Sequence, residues 1–250
     1  MTGDVELAAR AVHAGAEAAL AVVREGALDV RTKEAPTDLV SAADTAAEAA
    51  IARVLRAERP DDALLGEEGA REHADSARRW LIDGIDGTFN FVSGIPHWCV
   101  AVGLEEDGAA AVGAVYDPSA DELFVAGPGH PTTVNAAPAT VRTGRTLEQA
   151  AVATYLPPTA ADAAATLGRL AEPVGVLRTG GAGTLELAWV AAGRVDGWAQ
   201  PDVAPWDWLP GAALVRHAGG TATVLDGEPA WHLAGTPALV AELAAIVPRA

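Results

Sequence analysis

A single cysteine, Cys99, leaves this 250-residue chain no internal disulfide and suits a reducing compartment. Long hydrophobic runs are missing as well: no stretch approaches the roughly 18 uncharged apolar residues that a membrane span needs. The first residues, Met1-Thr2-Gly3-Asp4-Val5-Glu6, are acidic and lack the basic-then-apolar order of a secretion signal. A cytoplasmic protein that does not engage a membrane is therefore expected. Positive charge is scarce, with 17 Lys and Arg against 34 Asp and Glu and a net charge of −17. Nucleic-acid backbones are bound through clustered basic residues, so no nucleic-acid partner is expected. Within that small basic set Lys33 is the only lysine. Aromatics make up only 5 % of the residues, which leaves Ala, Val and Leu to do most of the packing.

What is present has a clear order. Val5, Ala8, Val12, Ala16, Ala19 and Val23 recur at helical spacing. A second helix is predicted from about Ala43, with Ala47, Ile51, Val54 and Leu55 on one face and an end before Pro60. Between them Thr37 to Ser41 reads as a short extended or turn segment. Ala63-Leu64-Leu65 and Trp80-Leu81-Ile82 are apolar runs that stop at acids, as buried strands ending at a site would. Cys99 to Leu104, Ala110 to Tyr116 and Glu122 to Ala126 predict a three-strand meander, with turns at Glu106-Asp107-Gly108 and Asp117-Pro118-Ser119. The second half alternates strands (Val152 to Leu156, Val174 to Leu177) with helices (Ala160 to Leu170, Thr184 to Ala192, Trp208 to His217). A last helix begins at Thr236-Pro237, a cap followed by proline, and runs to Val247. The pattern predicts one compact α/β layered unit with two subdomains, residues 1–140 carrying most of the candidate ligands and residues 141–250 the rest.

The chemistry concentrates in acids beside glycines. In Trp80-Leu81-Ile82-Asp83-Gly84-Ile85-Asp86-Gly87-Thr88, two aspartates flank what reads as a tight Gly-Ile turn. A helix starting near Gly87 would add an anion site of free backbone N–H groups. Carboxylates alone repel phosphate, so the pairing makes sense with cations between them, and magnesium takes such oxygen ligands. Gly66-Glu67-Glu68-Gly69 and Trp206-Asp207-Trp208 offer further acids at segment ends. Each has an ordinary alternative: an Asp-Gly turn, a solvated Glu pair, and a helix cap at Asp207. His97, His217 and His232 lack metal-ligand spacing, and Trp98, Trp189, Trp198 and Trp231 read as packing residues.

Taken together and in this order, Gly66-Glu67-Glu68, Asp83-Gly84-Ile85-Asp86-Gly87-Thr88, Trp206-Asp207 and Gly219-Gly220 resemble the inositol monophosphatase family. Lys33 to Asp44, containing Asp38-Leu39-Val40-Ser41-Ala42-Ala43-Asp44, is similar to that family's upstream lysine and acidic segment. Arg178 to Gly183, Leu185-Glu186-Leu187-Ala188 and Ala192 to Gly197 resemble its substrate-side helix. The resemblance implies an alternating αβαβα sandwich and a magnesium-dependent phosphatase acting on a small phosphorylated metabolite, in a homodimer. It implies one magnesium on Glu67, Asp83 and the Ile85 carbonyl, a second on Asp83, Asp86 and Asp207, and an optional third near Asp44. Glu67, Thr88 and Asp44 would manage the attacking water. Lys33, Asp86, Gly87, Thr88, Gly181, Ala182, Gln200 and Asp207 would bind substrate.

Three departures stand out. Gly84 replaces a usual proline, which would loosen the turn. Ser41 replaces a threonine and keeps the hydroxyl. Gln200 replaces a glutamate that contacts sugar-alcohol hydroxyls, which puts inositol phosphate in doubt as the substrate. Two other readings remain open here. A haloacid-dehalogenase-like phosphatase would attack with its first aspartate, but separates its two by one residue rather than by Gly84 and Ile85. A catalytically silent family member would bind a phosphorylated ligand without turning it over.

Overall fold

The computed structural model describes residues 3–33, 35–73, 76–156 and 163–247. Glu34 and the first residues of the helix expected from Ala160 lie outside them. The chain opens with α1 (Asp4–Arg24), the strand pair β1 (Arg31–Thr32) and β2 (Leu39–Val40), and α2 (Ala42–Glu58). β3 (Ala63–Gly66), β4 (Arg71–Glu72) and β5 (Arg78–Asp86) lead to a short helix, α3 (Thr88–Val92). A meander follows: β6 (Cys99–Glu106), β7 (Ala109–Asp117), β8 (Glu122–Gly127), β9 (His130–Val134) and β10 (Ala137–Pro138). The second half holds β11 (Ala151–Ala153), α4 (Ala163–Ala171), β12 (Val176–Arg178), α5 (Gly183–Ala191) and β13 (Gly197–Pro201). It ends with α6 (Pro205–His217), β14 (Thr221–Leu225), β15 (Trp231–Gly235) and α7 (Pro237–Ile246).

Two sheets organise these elements. One has the strand order β10-β9-β8-β7-β6-β5-β3-β4, the other β12-β11-β13-β15-β14. Alternation of side chains along a strand explains the layers. On β6, Val100, Val102 and Leu104 pack with Leu7, Val12 and Ile51 of α1 and α2. Cys99 and Ala101 point the other way, into a core shared with Leu185 of α5 and Leu214 of α6. β13 repeats the rule, with Trp198 in that central core and Ala199 packed with Leu239 and Leu243 of α7. The result is the αβαβα sandwich expected by resemblance. The last helix starts as the sequence predicts, with Thr236 Oγ1 accepting the Leu239 N–H at 3.3 Å. α2 begins one residue before the expected Ala43, capped by Ser41 in a reciprocal box with Asp44.

Three local features differ from expectation. The meander carries two further strands, β9 and β10, whose His130-Pro131-Thr132-Thr133 stretch has no apolar alternation to announce it. α6 begins at Pro205 rather than Trp208, with Ala204 as its cap, so Asp207 lies in the first turn and does not cap the helix. Most consequentially, no turn separates Asp83 from Asp86. β5 continues through both, and Gly84 and Ile85 together face the single β6 residue Val100 in a bulge, since Asp83 pairs with Ala101 and Asp86 with Cys99.

Gly84 therefore has a packing role. A Cβ at residue 84 would lie 2.7 Å from the Asp44 backbone oxygen and 3.2 Å from the Glu48 nitrogen of α2. Helix and bulge touch backbone to backbone, and even one methyl group would force them apart. Gly84→Ala is expected to destabilise the protein by about 1–3 kcal/mol, the usual range for overpacking a close contact. Urea unfolding should show a lower midpoint at unchanged slope; a wild-type midpoint would mean that α2 is not pressed onto the bulge.

Candidate active site

β3 ends at Gly66, and the next residue, Glu67, donates its backbone N–H to the Ile82 carbonyl of β5 at 3.2 Å. That bond sets Glu67 beside Asp83, at the start of the bulge. Asp207 arrives from the first turn of α6. One oxygen from each of the three carboxylates lies within 4.8 Å of the other two. Asp83 is 1 % exposed, while Glu67 and Asp207 are half-buried. Asp83 Oδ1 accepts the Ile85 N–H at 3.0 Å, while Oδ2 is buried with no N–H or hydroxyl donor among the described residues, the Asp207 carboxyl being the neighbour with which Asp83 can share a proton.

Such crowding disfavours charge. Burial first, then the neighbouring acids, push the Asp83 and Asp207 carboxyls well above the ordinary range. Burial also raises Glu67, against the pull of Lys33. Lys33 Nζ lies 2.8 Å from Glu67 Oε1 and also bonds Glu68. Burial works against its ammonium, yet the two glutamates hold it protonated. Lys33 compensates one side of the cluster only. An Asp83 oxygen with no N–H or hydroxyl donor and an all-oxygen ligand set match what a hard divalent cation requires.

Asp86 sits beside this group rather than within it. Its Oδ2 accepts the backbone N–H of Thr184 at 2.8 Å and of Leu185 at 3.3 Å, in the first turn of α5. Burial outweighs those two bonds and raises its carboxyl to about 6. Asp44, 2 % exposed, works with both oxygens. Oδ2 accepts the Ser41 N–H at 2.9 Å and its hydroxyl at 2.6 Å, and Oδ1 accepts the Thr88 hydroxyl at 2.8 Å. Thr88 Oγ1 is also 3.1 Å from the Ile85 carbonyl oxygen. Thr88 has a single hydroxyl hydrogen, and the carboxylate is the stronger acceptor for it. Its lone pairs are then oriented to accept.

These groups line a cleft of about 680 Å³. Its lining includes Glu67, Asp83, Asp86, Gly87 and Thr88 from the first half of the chain and Gly181, Gln200 and Asp207 from the second. Two further candidate contacts adjoin the cleft. Lys33 bonds Glu67 and Glu68, and Ala182, buried as the residue preceding α5, lies against Gly87, where an added Cβ would be 3.1 Å from its own. Trp198, expected only to pack, is fully buried and also lines the cleft beside Gln200, two residues on along the same face of β13. Trp198 Nε1 and Gln200 Oε1 are both buried without a partner. Sequence reasoning gave Glu186 no role, yet its buried carboxylate accepts the Gly180 N–H at 2.8 Å. Asn90 Nδ2 ties the same loop, donating to the carbonyls of His97 at 2.8 Å and Gly180 at 2.9 Å. The helical position of Glu186, just behind Gly180 to Gly183, was the available signal.

Comparison with known proteins agrees with this geometry. A sequence model of the inositol monophosphatase family matches residues 3–248. An inositol-1-monophosphatase of Rhizobium meliloti (strain 1021) is 38 % identical over 206 residues, 77 % of this chain and 74 % of that protein. The Nus factor SuhB of Escherichia coli (strain K12) is 36 % identical over 209 residues, 82 % of this chain and 78 % of its own. Among solved structures, the extragenic suppressor protein suhB of Bartonella henselae superposes with a TM-score of 0.86 at 32 % identity, covering 95 % of both chains. The family match sets aside a haloacid-dehalogenase-like arrangement. The chain belongs to the inositol monophosphatase family, phosphatases that hydrolyse phosphate monoesters.

Proposed function

We propose that the protein hydrolyses the phosphate monoester of a small metabolite with magnesium as cofactor and water as the nucleophile. The buried Asp83 Oδ2, with no N–H or hydroxyl donor inside the three-acid cluster, carries this reading. Glu67, Asp83 and the Ile85 carbonyl would hold one ion, and Asp83, Asp86 and Asp207 a second. Both oxygens of Asp44 are engaged by Ser41 and Thr88, which favours an orienting role for it over ligation of a third ion. Magnesium, when bound, supplies the charge that draws phosphate towards the acids and acidifies a water molecule.

The protein's own groups do the rest. Thr88, its hydrogen given to Asp44, accepts a hydrogen bond from the attacking water, and Glu67 accepts its proton. The backbone N–H groups of Gly87 and Thr88, at the start of α3, receive phosphate oxygens. Asp86 is anchored through Oδ2 on α5, which leaves its other oxygen as the one that would hold an ion. The released alcohol lies against Gly181 and Gln200. From the resemblance the enzyme acts as a homodimer, and its single cysteine suits the reducing cytoplasm.

Chelation by excess EDTA is expected to abolish hydrolysis of every substrate in a panel of inositol, sugar, histidinol and nucleotide phosphates. Asp86→Asn should lower kcat/KM at least about a hundredfold across the same panel, since it removes a charge common to all turnovers. Undiminished hydrolysis under chelation would overturn the reading.

Gln200→Glu tests the alcohol side separately. One hydrogen bond gained or mismatched in a desolvated pocket is worth about 1–3 kcal/mol, and roughly 1.4 kcal/mol is a factor of ten in rate. Competition assays should show polyol phosphates gaining on the others by around tenfold. Equal change for all substrates would place Gln200 outside the alcohol pocket.

A further inference from the structure

Glu48 lies one helical turn beyond Asp44 on the same face of α2, and it has no part in the site as described so far. It is 5 % exposed. Its two carboxylate oxygens each accept a backbone N–H bond: Oε2 from Glu68 and Oε1 from Ala70, both at 2.7 Å. Those two N–H groups line the inside of the chain reversal between β3 and β4. The reversal is closed by the Gly66 N–H donating to the Ala70 carbonyl at 2.7 Å. Glu67 stands at its corner.

The backbone around Glu67 is thus gripped from two directions. Its own N–H goes to Ile82, the residue before Asp83, and the N–H of the next residue goes to Glu48. The grip is close. A Cβ on Gly66 would lie 2.3 Å from Glu48 Oε2, so only glycine there admits the carboxylate. Burying a carboxylate beside Glu68 is unfavourable, and burial raises the Glu48 carboxyl. An apolar side chain could fill the space without that penalty, but it could not receive two N–H bonds from one loop.

We propose that Glu48 is a positioning residue that presents Glu67 to the cation, an inference that rests on the magnesium reading above. α2 then carries two such devices one turn apart, Asp44 orienting Thr88 and Glu48 orienting Glu67. The pressed contact at Gly84 holds that helix at the distance both require.

Isothermal titration of magnesium into the wild type, Glu48→Ala and Glu48→Gln tests this, with folding checked by circular dichroism and urea unfolding. Partners that orient a metal ligand typically carry about 10–100-fold in metal affinity. Glu48→Ala should therefore raise the magnesium dissociation constant at least about tenfold. Its kcat at saturating magnesium should stay within roughly threefold of wild type, because the ion itself then holds Glu67. Glu48→Gln keeps one acceptor oxygen and should fall between the two. Should the alanine variant fail to fold, the glutamine variant decides: a threefold or greater weakening, by the same reasoning, supports the proposal. A folded variant with a lower unfolding midpoint and a wild-type magnesium constant would overturn it, since Glu48 would then only stabilise the loop. That result is distinct from a wild-type protein that takes up no magnesium, which would overturn the magnesium reading and this inference with it.

Discussion

Mutual repulsion among Glu67, Asp83 and Asp207 is the constraint on which the rest of the site depends. Three carboxylates within 4.8 Å, one fully buried, stay ionised together only if positive charge reaches them. Lys33 supplies it on one side. The surrounding architecture holds the acids in place against that repulsion. A backbone bond from Glu67 to β5, the bulge at Asp83 and the first turn of α6 each fix one of the three. Their proximity is what suits the arrangement to a divalent cation, as the proposed function requires.

The layered fold explains how distant segments come together. β5 lies between β3 and β6 in the first sheet, so an acid after β3 and acids near the end of β5 become neighbours. The helix layer between the two sheets contributes α5, whose first turn anchors Asp86, and α6, which brings Asp207. β13, in the second sheet, brings Trp198 and Gln200 to the same cleft. Under the proposed function, charge chemistry comes mainly from residues around the first sheet and the alcohol contacts from the second.

Much of this was legible in the sequence, for physical reasons that differ residue by residue. Asp83 stood out as an acid directly after an apolar run, Glu67 as one just past the glycine that ends another, and Asp207 as one between two tryptophans. Each alone has an ordinary explanation, and it is their order in combination that is informative. The meander was legible from its turns: Asp107 and Gly108 both take left-handed backbone, as a two-residue hairpin turn demands. The bulge was not, because it depends on how near α2 comes to Gly84, a tertiary contact with no local pattern. Glu48 and Glu186 were missed for a related reason. Glu48 bonds backbone N–H groups 20 and 22 residues away, and one glutamate on a helix looks the same in sequence whether it faces solvent or a chain reversal. Glu186 bonds Gly180 just ahead of its own helix, where only its position hinted at the contact. Lys33 was noticed for its rarity, and its side chain bonds Glu67, which lines the cleft, and Glu68.

Linkage between protons and magnesium tests the central claim most directly. Burial pushes the Asp86 carboxyl up to about 6 from an ordinary value of 3.8, and burial together with the neighbouring acids pushes Asp83 and Asp207 well above the ordinary range. A carboxyl raised in this way keeps its proton longer in the folded protein than in the unfolded chain. Its stabilising contribution is therefore full below the unfolded value and is lost as pH rises through the folded one. Burial pushes His232 down, which works in the opposite direction, but His232 is common to the free and loaded protein. The informative quantity is therefore the rise in Tm on saturation with magnesium, measured from about pH 5 to about pH 7.5. The account predicts that this increment grows steadily with pH, as the ion relieves a repulsion that protons no longer relieve. An increment that stays constant or shrinks over that interval would contradict it.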